Sequence, residues 1–354
     1  MQARIAKLQA KFDELRIDGF LVTNAVNLKY LMNFDGLPGD GVAVITKTKA
    51  FLITDARYDV ELRSQHPDYD LIITRYYLKE AAKVVADQKV TVLGFEDDLP
   101  YFDYDQIDEQ MTSDIVPFTG LVDQMRWVKD DAELAALKQA AELTSDGLMK
   151  TIETLHTGQT EREVANQLDA TMRQLGATGE SFATIVASGY RSALPHGAAS
   201  NKQLKAGELI TIDCGYYFDG YTSDITRTVA LGDPGEKLQR VYKVVQDAQQ
   251  AIIDAVQDGV SGKHLDKVGR ALITDAGYGP EFNHGTGHGI GLDIHEGPAL
   301  STRSEDLMHT NNVITVEPGI YLTDLGGVRI EDDILVTPTR GVRLTTAPRD
   351  LLIV

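Results

Sequence analysis

One cysteine, Cys214, in 354 residues leaves no partner for an intrachain disulfide. That scarcity argues against a disulfide-stapled secreted fold and makes a reducing cytoplasm the natural compartment. No uninterrupted apolar stretch approaches the roughly 20 residues that span a bilayer. The opening segment, residues 1–20, carries charges throughout and so lacks the apolar core of a signal peptide. Basic residues are in deficit as well, with 34 Lys and Arg against 53 Asp and Glu, a formal net charge of -19. A chain of that sign repels phosphate backbones unless its cations cluster, and they do not, so neither nucleic acid nor a membrane is an expected partner.

What remains is an ordinary globular composition, 43% hydrophobic and 25% charged. A single core rarely grows past about 250 to 300 residues, so 354 residues predict two domains. Ile5, Leu8, Phe12 and Leu15 recur at helical spacing and predict an amphipathic first helix. Short apolar runs at 19–23, 41–46, 50–54, 71–74 and 90–95, separated by turns and helical patterns, then predict an α/β domain over residues 1–123. Within it Asn33 to Asp40 concentrates turn formers and reads as an exposed loop. From residue 124 the pattern changes. Helices are expected at 131–156, 160–175, 236–257 and 264–277, with a strand at 181–188, a hairpin at 208–230 and further strands to the end. Helix pairs followed by antiparallel strands occur twice, which makes residues 124–354 an α+β domain of two related halves.

The chemistry sits at strand ends. In Leu209-Ile210-Thr211-Ile212-Asp213 an apolar strand ends in a carboxylate that is costly to bury without a cation or donors. Eleven residues on, Thr222, Asp224, Thr226 and Thr228 alternate onto one strand face, and a hairpin would bring Asp224 beside Asp213. Adjacent carboxylates settle their repulsion by sharing a proton, by a neighbouring cation or by a metal ion. The run from His284 to Glu296 holds His284, His288 and His295, three of the eight histidines, among glycines that permit close backbone approach. Those glycines do not form a phosphate loop, because no Lys-Ser/Thr follows them. Val313-Ile314-Thr315-Val316-Glu317 repeats the apolar strand with a terminal carboxylate, and Pro318-Gly319 ends it. Finally Arg329, Glu331 and Asp333 alternate onto one face of a strand, leaving Asp332 on the other as a surface charge. Four carboxylates and an imidazole form an oxygen-rich set that suits a pair of divalent ions, Mn²⁺ first, with Co²⁺ or Zn²⁺ as alternatives. Two ions about 3.5 to 4 Å apart can acidify a bridging water and polarise a carbonyl, which is hydrolytic chemistry.

These motifs resemble the pita-bread metallopeptidases, which include prolidase, aminopeptidase P and methionine aminopeptidase, and the match covers nearly the whole chain. The resemblance implies a creatinase-like N-terminal α/β domain and a C-terminal pita-bread domain. It also implies the ligand order Asp, Asp, His, Glu, Glu, which falls on Asp213, Asp224, His288, Glu317 and Glu331. By the same resemblance Glu317 exchanges protons with the attacking water, His196 and His295 bind substrate or its tetrahedral intermediate with His284 nearby, and Arg329 orients the carboxylates. The additional N-terminal domain is similar to that of prolidase and aminopeptidase P, which implies peptides with proline at the second position. It implies a homodimer too, with the Asn33 to Asp40 loop as the candidate contact to the partner's site. One departure from the family stands in His309-Thr310-Asn311-Asn312, where a Pro-Gly-Met turn is common; Asn also tolerates turn conformations. Arg303 could hold a dipeptide's carboxylate or lie on the surface. The expectation is therefore an Xaa-Pro dipeptidase, with an Xaa-Pro aminopeptidase as the alternative. A metal-free binding protein or hydrolase on the same fold is the competing class, against which the complete ligand set argues.

Overall fold

The computed structural model describes residues 2–354. The chain divides into two compact units, Met1–Arg126 and Trp127–Val354.

The first unit is built on a six-stranded sheet, in the order Asp70–Ile73, Ala50–Thr54, Gly41–Thr46, Gly19–Val22, Val92–Glu96 and Asp114–Phe118. Gly41–Thr46 and Ala50–Thr54 are buried along their whole length, which explains their unbroken apolar sequence. The last strand escaped sequence reading for a physical reason: it is an edge, largely exposed, and it contains Pro117. The expected first helix is two, Gln2–Gln9 and Phe12–Leu15, and the second closes on Arg16 in the left-handed conformation. Ile5, Leu8 and Phe12 nevertheless all face the core.

In the second unit Asp131–Ile152 and Glu161–Gln174 each begin with a capping box, Asp130 with Glu133 and Thr160 with Glu163. They precede a three-stranded antiparallel sheet of Ile185–Ser188, Glu208–Cys214 and Ile225–Leu231. A second helix pair, Glu236–Ala255 and Gly262–Asp275, precedes a five-stranded sheet centred on Val313–Val316 and a two-stranded ribbon of Gly319–Leu322 and Gly326–Arg329. The unit thus repeats a helix pair followed by antiparallel strands. Apolar residues from both layers close over it, with Leu148, Val164, Leu168 and Ile212 together in one cluster. In the turn before Val313, Asn311 takes a positive φ of 73°, the conformation for which Asn substitutes well.

Two expectations for the C-terminal strands need correction. Residues 327–336 do not form one strand: Gly326–Arg329 pairs with Gly319–Leu322, whereas Asp332–Val336 pairs with Val313–Val316. The chain breaks step at Ile330 and Glu331, where the Glu331 N–H donates to the carbonyl of Thr226 in the other half. Asp332 is no surface charge. It is fully buried, ion-paired with Arg227 at 2.6 Å, and accepts further bonds from Thr345 and Gln249.

Candidate metal centre

The hairpin places Asp213 opposite Thr226, two residues beyond Asp224. Asp224 itself ends the loop into Ile225–Leu231, and its N–H is held by Asp333, so a buried carboxylate fixes the backbone that presents it. Glu331 stands at the break between strands and accepts 2.6 Å from Thr226 Oγ1, the threonine on the Asp224 face. His288 comes from Gly287–Gly289, and Glu317 follows Val313–Val316. Thr315 ties these two together: its Oγ1 accepts from the His288 N–H at 3.1 Å and donates to Glu317 Oε1 at 3.3 Å. The glycines flanking His288 serve strand approach. A Cβ on Gly287 would lie 2.1 Å from the Thr315 carbonyl oxygen, and one on Gly289 as close to that of Gly297.

All five carboxylate and imidazole groups line one cavity of about 390 Å³, together with His196, His284, His295 and Arg329. Asp224, His288 and Glu331 each offer a ligand atom, and those atoms lie within 4.8 Å of one another. Among the described residues no other group of His, Cys, Asp or Glu is this close. His288 Nδ1 is 3.0 Å from the Gly289 carbonyl, to which it must donate, and burial holds its pKa below the ordinary range. Its Nε2 is therefore a bare lone pair, yet it sits 3.5 Å from Glu317 Oε1 and 3.8 Å from Asp224 Oδ2. Acceptor faces acceptor. Asp213 Oδ1 and Asp224 Oδ1 are buried with no hydrogen-bond partner. Burial, and then the neighbouring carboxylates, push Asp224 and Glu331 well above the usual carboxylate range. Burial also pushes Glu317 up to about 7, against the opposing pull of Arg329. A divalent cation resolves all of these conflicts at once, so the donor set fits a metal.

Arg329 is buried and holds the set from behind. Its Nη2 donates to Asp213 Oδ2 at 2.6 Å, its Nε to Thr226 Oγ1 at 3.1 Å and its Nη1 to Tyr321 Oη at 2.8 Å. Tyr321, which the sequence did not single out, then donates to His284 Nε2 at 2.8 Å, while His284 Nδ1 donates to the Gly285 carbonyl. Burial lowers the His284 pKa to about 4, so the ring is neutral and both of its nitrogens are engaged within the protein. His284 consequently gives the cavity a ring surface and no free hydrogen bond. His196 and His295 are exposed at the rim, the latter with its ring 4.7 Å from that of His288. Arg303 is exposed and does not line the cavity.

Sequence models agree with this geometry. Residues 135–338 match metallopeptidase family M24, and residues 4–128 match the creatinase/prolidase N-terminal domain. The chain belongs to metallopeptidase family M24. An uncharacterized peptidase of Bacillus subtilis (strain 168) is 40% identical over 353 residues, 99% of each chain. Among solved structures, an Xaa-Pro dipeptidase from Bacillus anthracis is 42% identical with a TM-score of 0.96, covering 100% of this chain and 99% of that one. An X-Pro aminopeptidase from Thermotoga maritima is 37% identical with a TM-score of 0.92, covering 99% of both chains. This M24 enzyme is accordingly a metallopeptidase that uses divalent metal, with a creatinase-type N-terminal domain and a pita-bread catalytic domain. No helix among its described residues is long and apolar enough to cross a membrane.

Proposed function

We propose that this M24 metallopeptidase cleaves Xaa-Pro dipeptides with a pair of divalent ions held by Asp213, Asp224, His288, Glu317 and Glu331. The observation that carries the metal set is the unpartnered pair of buried oxygens, Asp213 Oδ1 and Asp224 Oδ1, beside the bare Nε2 of His288. The dipeptide preference is supported by the name borne by the Bacillus anthracis relative and by a cavity of only about 390 Å³, small for a ligand pocket. Mn²⁺ suits so oxygen-rich a set, and Co²⁺ or Zn²⁺ would fit the same donors. Bound there, the ions supply a Lewis acid for the scissile carbonyl and acidify a water. Glu317 takes the proton of the attacking water and returns it to the leaving imino nitrogen. His196 and His295 at the rim donate to the substrate and to its developing oxyanion. Arg329 holds Asp213 aimed into the site, and His284 with Tyr321 forms a fixed wall. In this reading the enzyme is a cytoplasmic homodimer, and the Asn33 to Asp40 loop, whose Leu37 is 70% exposed, meets the partner.

An Xaa-Pro aminopeptidase is the second reading, favoured by the Thermotoga maritima structure. Initial rates on Xaa-Pro and on Xaa-Pro-Yaa-Yaa peptides, with Mn²⁺, Co²⁺ or Zn²⁺ added after chelation, separate the two. Turnover of the dipeptide at the higher kcat/KM supports the first reading, and turnover of the longer peptide alone refutes it. Glu317→Ala should abolish turnover and weaken metal binding; retained activity would reject the proton role of Glu317.

A further inference from the structure

One buried carboxylate outside the metal centre takes its side-chain donors from a single loop. Glu161 is the first residue of Glu161–Gln174, and its side chain has no exposed surface. The helix does not need it as a cap, because Thr160 and Glu163 already supply the capping box. Its Oε1 accepts from the N–H and the Oγ of Ser188, both at 2.8 Å. Its Oε2 accepts from the N–H of Ser200 at 3.1 Å and from Ser200 Oγ at 2.6 Å. Arg191 Nε spans the two oxygens at 3.3 and 3.0 Å, and Arg191 Nη2 donates to the Ala198 carbonyl at 2.6 Å. A single carboxylate therefore joins residue 188 to residue 200, and through Arg191 it grips the chain two residues past His196.

The His196 imidazole needs that grip. It is exposed at the cavity rim, and no hydrogen bond to another described residue holds its ring. Only the backbone can set where it points, and the turn that carries it, closed by Gly197 N–H to Leu194 O and Ala198 N–H to His196 O, rests on the Arg191 clasp. A buried charge is tolerated when donors surround it, and removing a partner is costly, so this arrangement fixes the loop in one position. We propose that Glu161, acting with Arg191, is a positioning residue for His196 and sets its imidazole against the substrate. This rests on the reading in which His196 binds substrate. Glu161 does not line the cavity and acts only through the loop.

A double-mutant cycle on dipeptide turnover tests it, with metal content followed by elemental analysis. His196→Ala should lower kcat/KM about 100-fold, the order for losing one donor to a developing oxyanion. Glu161→Gln keeps shape but loses the ion pair, and a loop displaced by a fraction of an ångström should lower kcat/KM about 10-fold with metal content unchanged. In the His196→Ala background, Glu161→Gln should change the rate by less than about twofold, because the group it positions is gone. A further 10-fold loss there would mean that Glu161 acts by general stability and would overturn the proposal. So would a Glu161→Gln enzyme with parental kinetics. If Glu161→Gln does not fold, Arg191→Gln, which releases the Ala198 carbonyl, enters the same cycle with the same deciding outcomes. Full activity in His196→Ala refutes the underlying role of His196 and takes the positioning role with it, whereas a large His196→Ala effect with additive losses refutes only the positioning role.

Discussion

Stripping the metal should make this protein lose stability as the pH rises, the reverse of what salt-bridged carboxylates do. In the metal-free site Asp224, Glu317 and Glu331 are crowded, buried and pushed upward in pKa, Glu317 to about 7 from the ordinary 4.5. A carboxyl whose folded pKa is raised binds its proton more tightly in the folded chain than in the unfolded one. Its stabilisation is complete below about pH 4.5 and is lost as the pH climbs through about 7. Each tenfold difference in proton affinity is about 1.4 kcal/mol, so Glu317 alone accounts for about 3 kcal/mol across that window. Asp224 and Glu331 act in the same direction. A bound cation demands the ionised forms, so the stabilisation by metal should grow over the same range and protons should be released on loading. The chain's one tryptophan, Trp127, lies in the catalytic unit, and its fluorescence reports denaturant unfolding of that unit. With chelator present, the unfolding midpoint should fall between about pH 5 and pH 8. With Mn²⁺ it should not, and Glu317→Gln without metal should flatten the slope. A metal-free midpoint that stays level or rises across this range would refute the assignment of a mutually repelling carboxylate cluster.

Two further substitutions probe the supports of the site. Arg329→Lys replaces three separately aimed nitrogens with one, so Asp213, Thr226 and Tyr321 can no longer all be held. Activity or metal affinity should fall by about 10 to 100-fold in a folded enzyme, read by dipeptide kinetics and metal titration; parental values in both would dismiss the orienting role. Lys129→Met removes the ammonium that lies 3.1 Å from the fully buried carboxylate of Glu296, next to His295. The expected cost is about 3 to 5 kcal/mol in denaturant unfolding, with partial recovery in Lys129→Met/Glu296→Gln, and a loss under about 1 kcal/mol would contradict it.

How much of this was legible beforehand follows from the range of the interactions. Asp213 and Glu317 announced themselves because a charge that closes an apolar strand is a local contradiction, visible in seven residues of sequence. The capping box Asp130 with Glu133 is equally local, and the helix it opens appears where the pattern placed it. Asp332 misled for the opposite reason: alternation puts it on the face away from Glu331 and shows nothing to bury it, because its partner Arg227 lies 105 residues earlier, in the other half of the unit. The break at Ile330 is equally non-local, since the Glu331 N–H leaves the ladder for Thr226. Tyr321 and Glu161 carried no local sign, a tyrosine in a strand and an acid in a helix's first turn being commonplace.

The same distinction orders the site itself. The residues readable from the sequence are those that would meet metal and substrate, because their chemistry conflicts with their surroundings until something binds. Those unreadable from it, Arg227 under Asp332, Thr226 under Glu331, Tyr321 beside His284 and Glu161 under the His196 loop, are all satisfied within the protein. A satisfied group leaves no contradiction in its own segment, only a partner far along the chain. Precision of the first set depends on the second: Arg329 holds Asp213, Thr226 holds Glu331, and Glu161 ties down the loop that carries His196. The conflict at Asp213 and Asp224 is therefore better understood as a built receptor for cations than as strain left over from folding: Arg329 holds the Asp213 carboxylate, Asp333 holds the backbone that presents Asp224, and two carboxylate oxygens are left free.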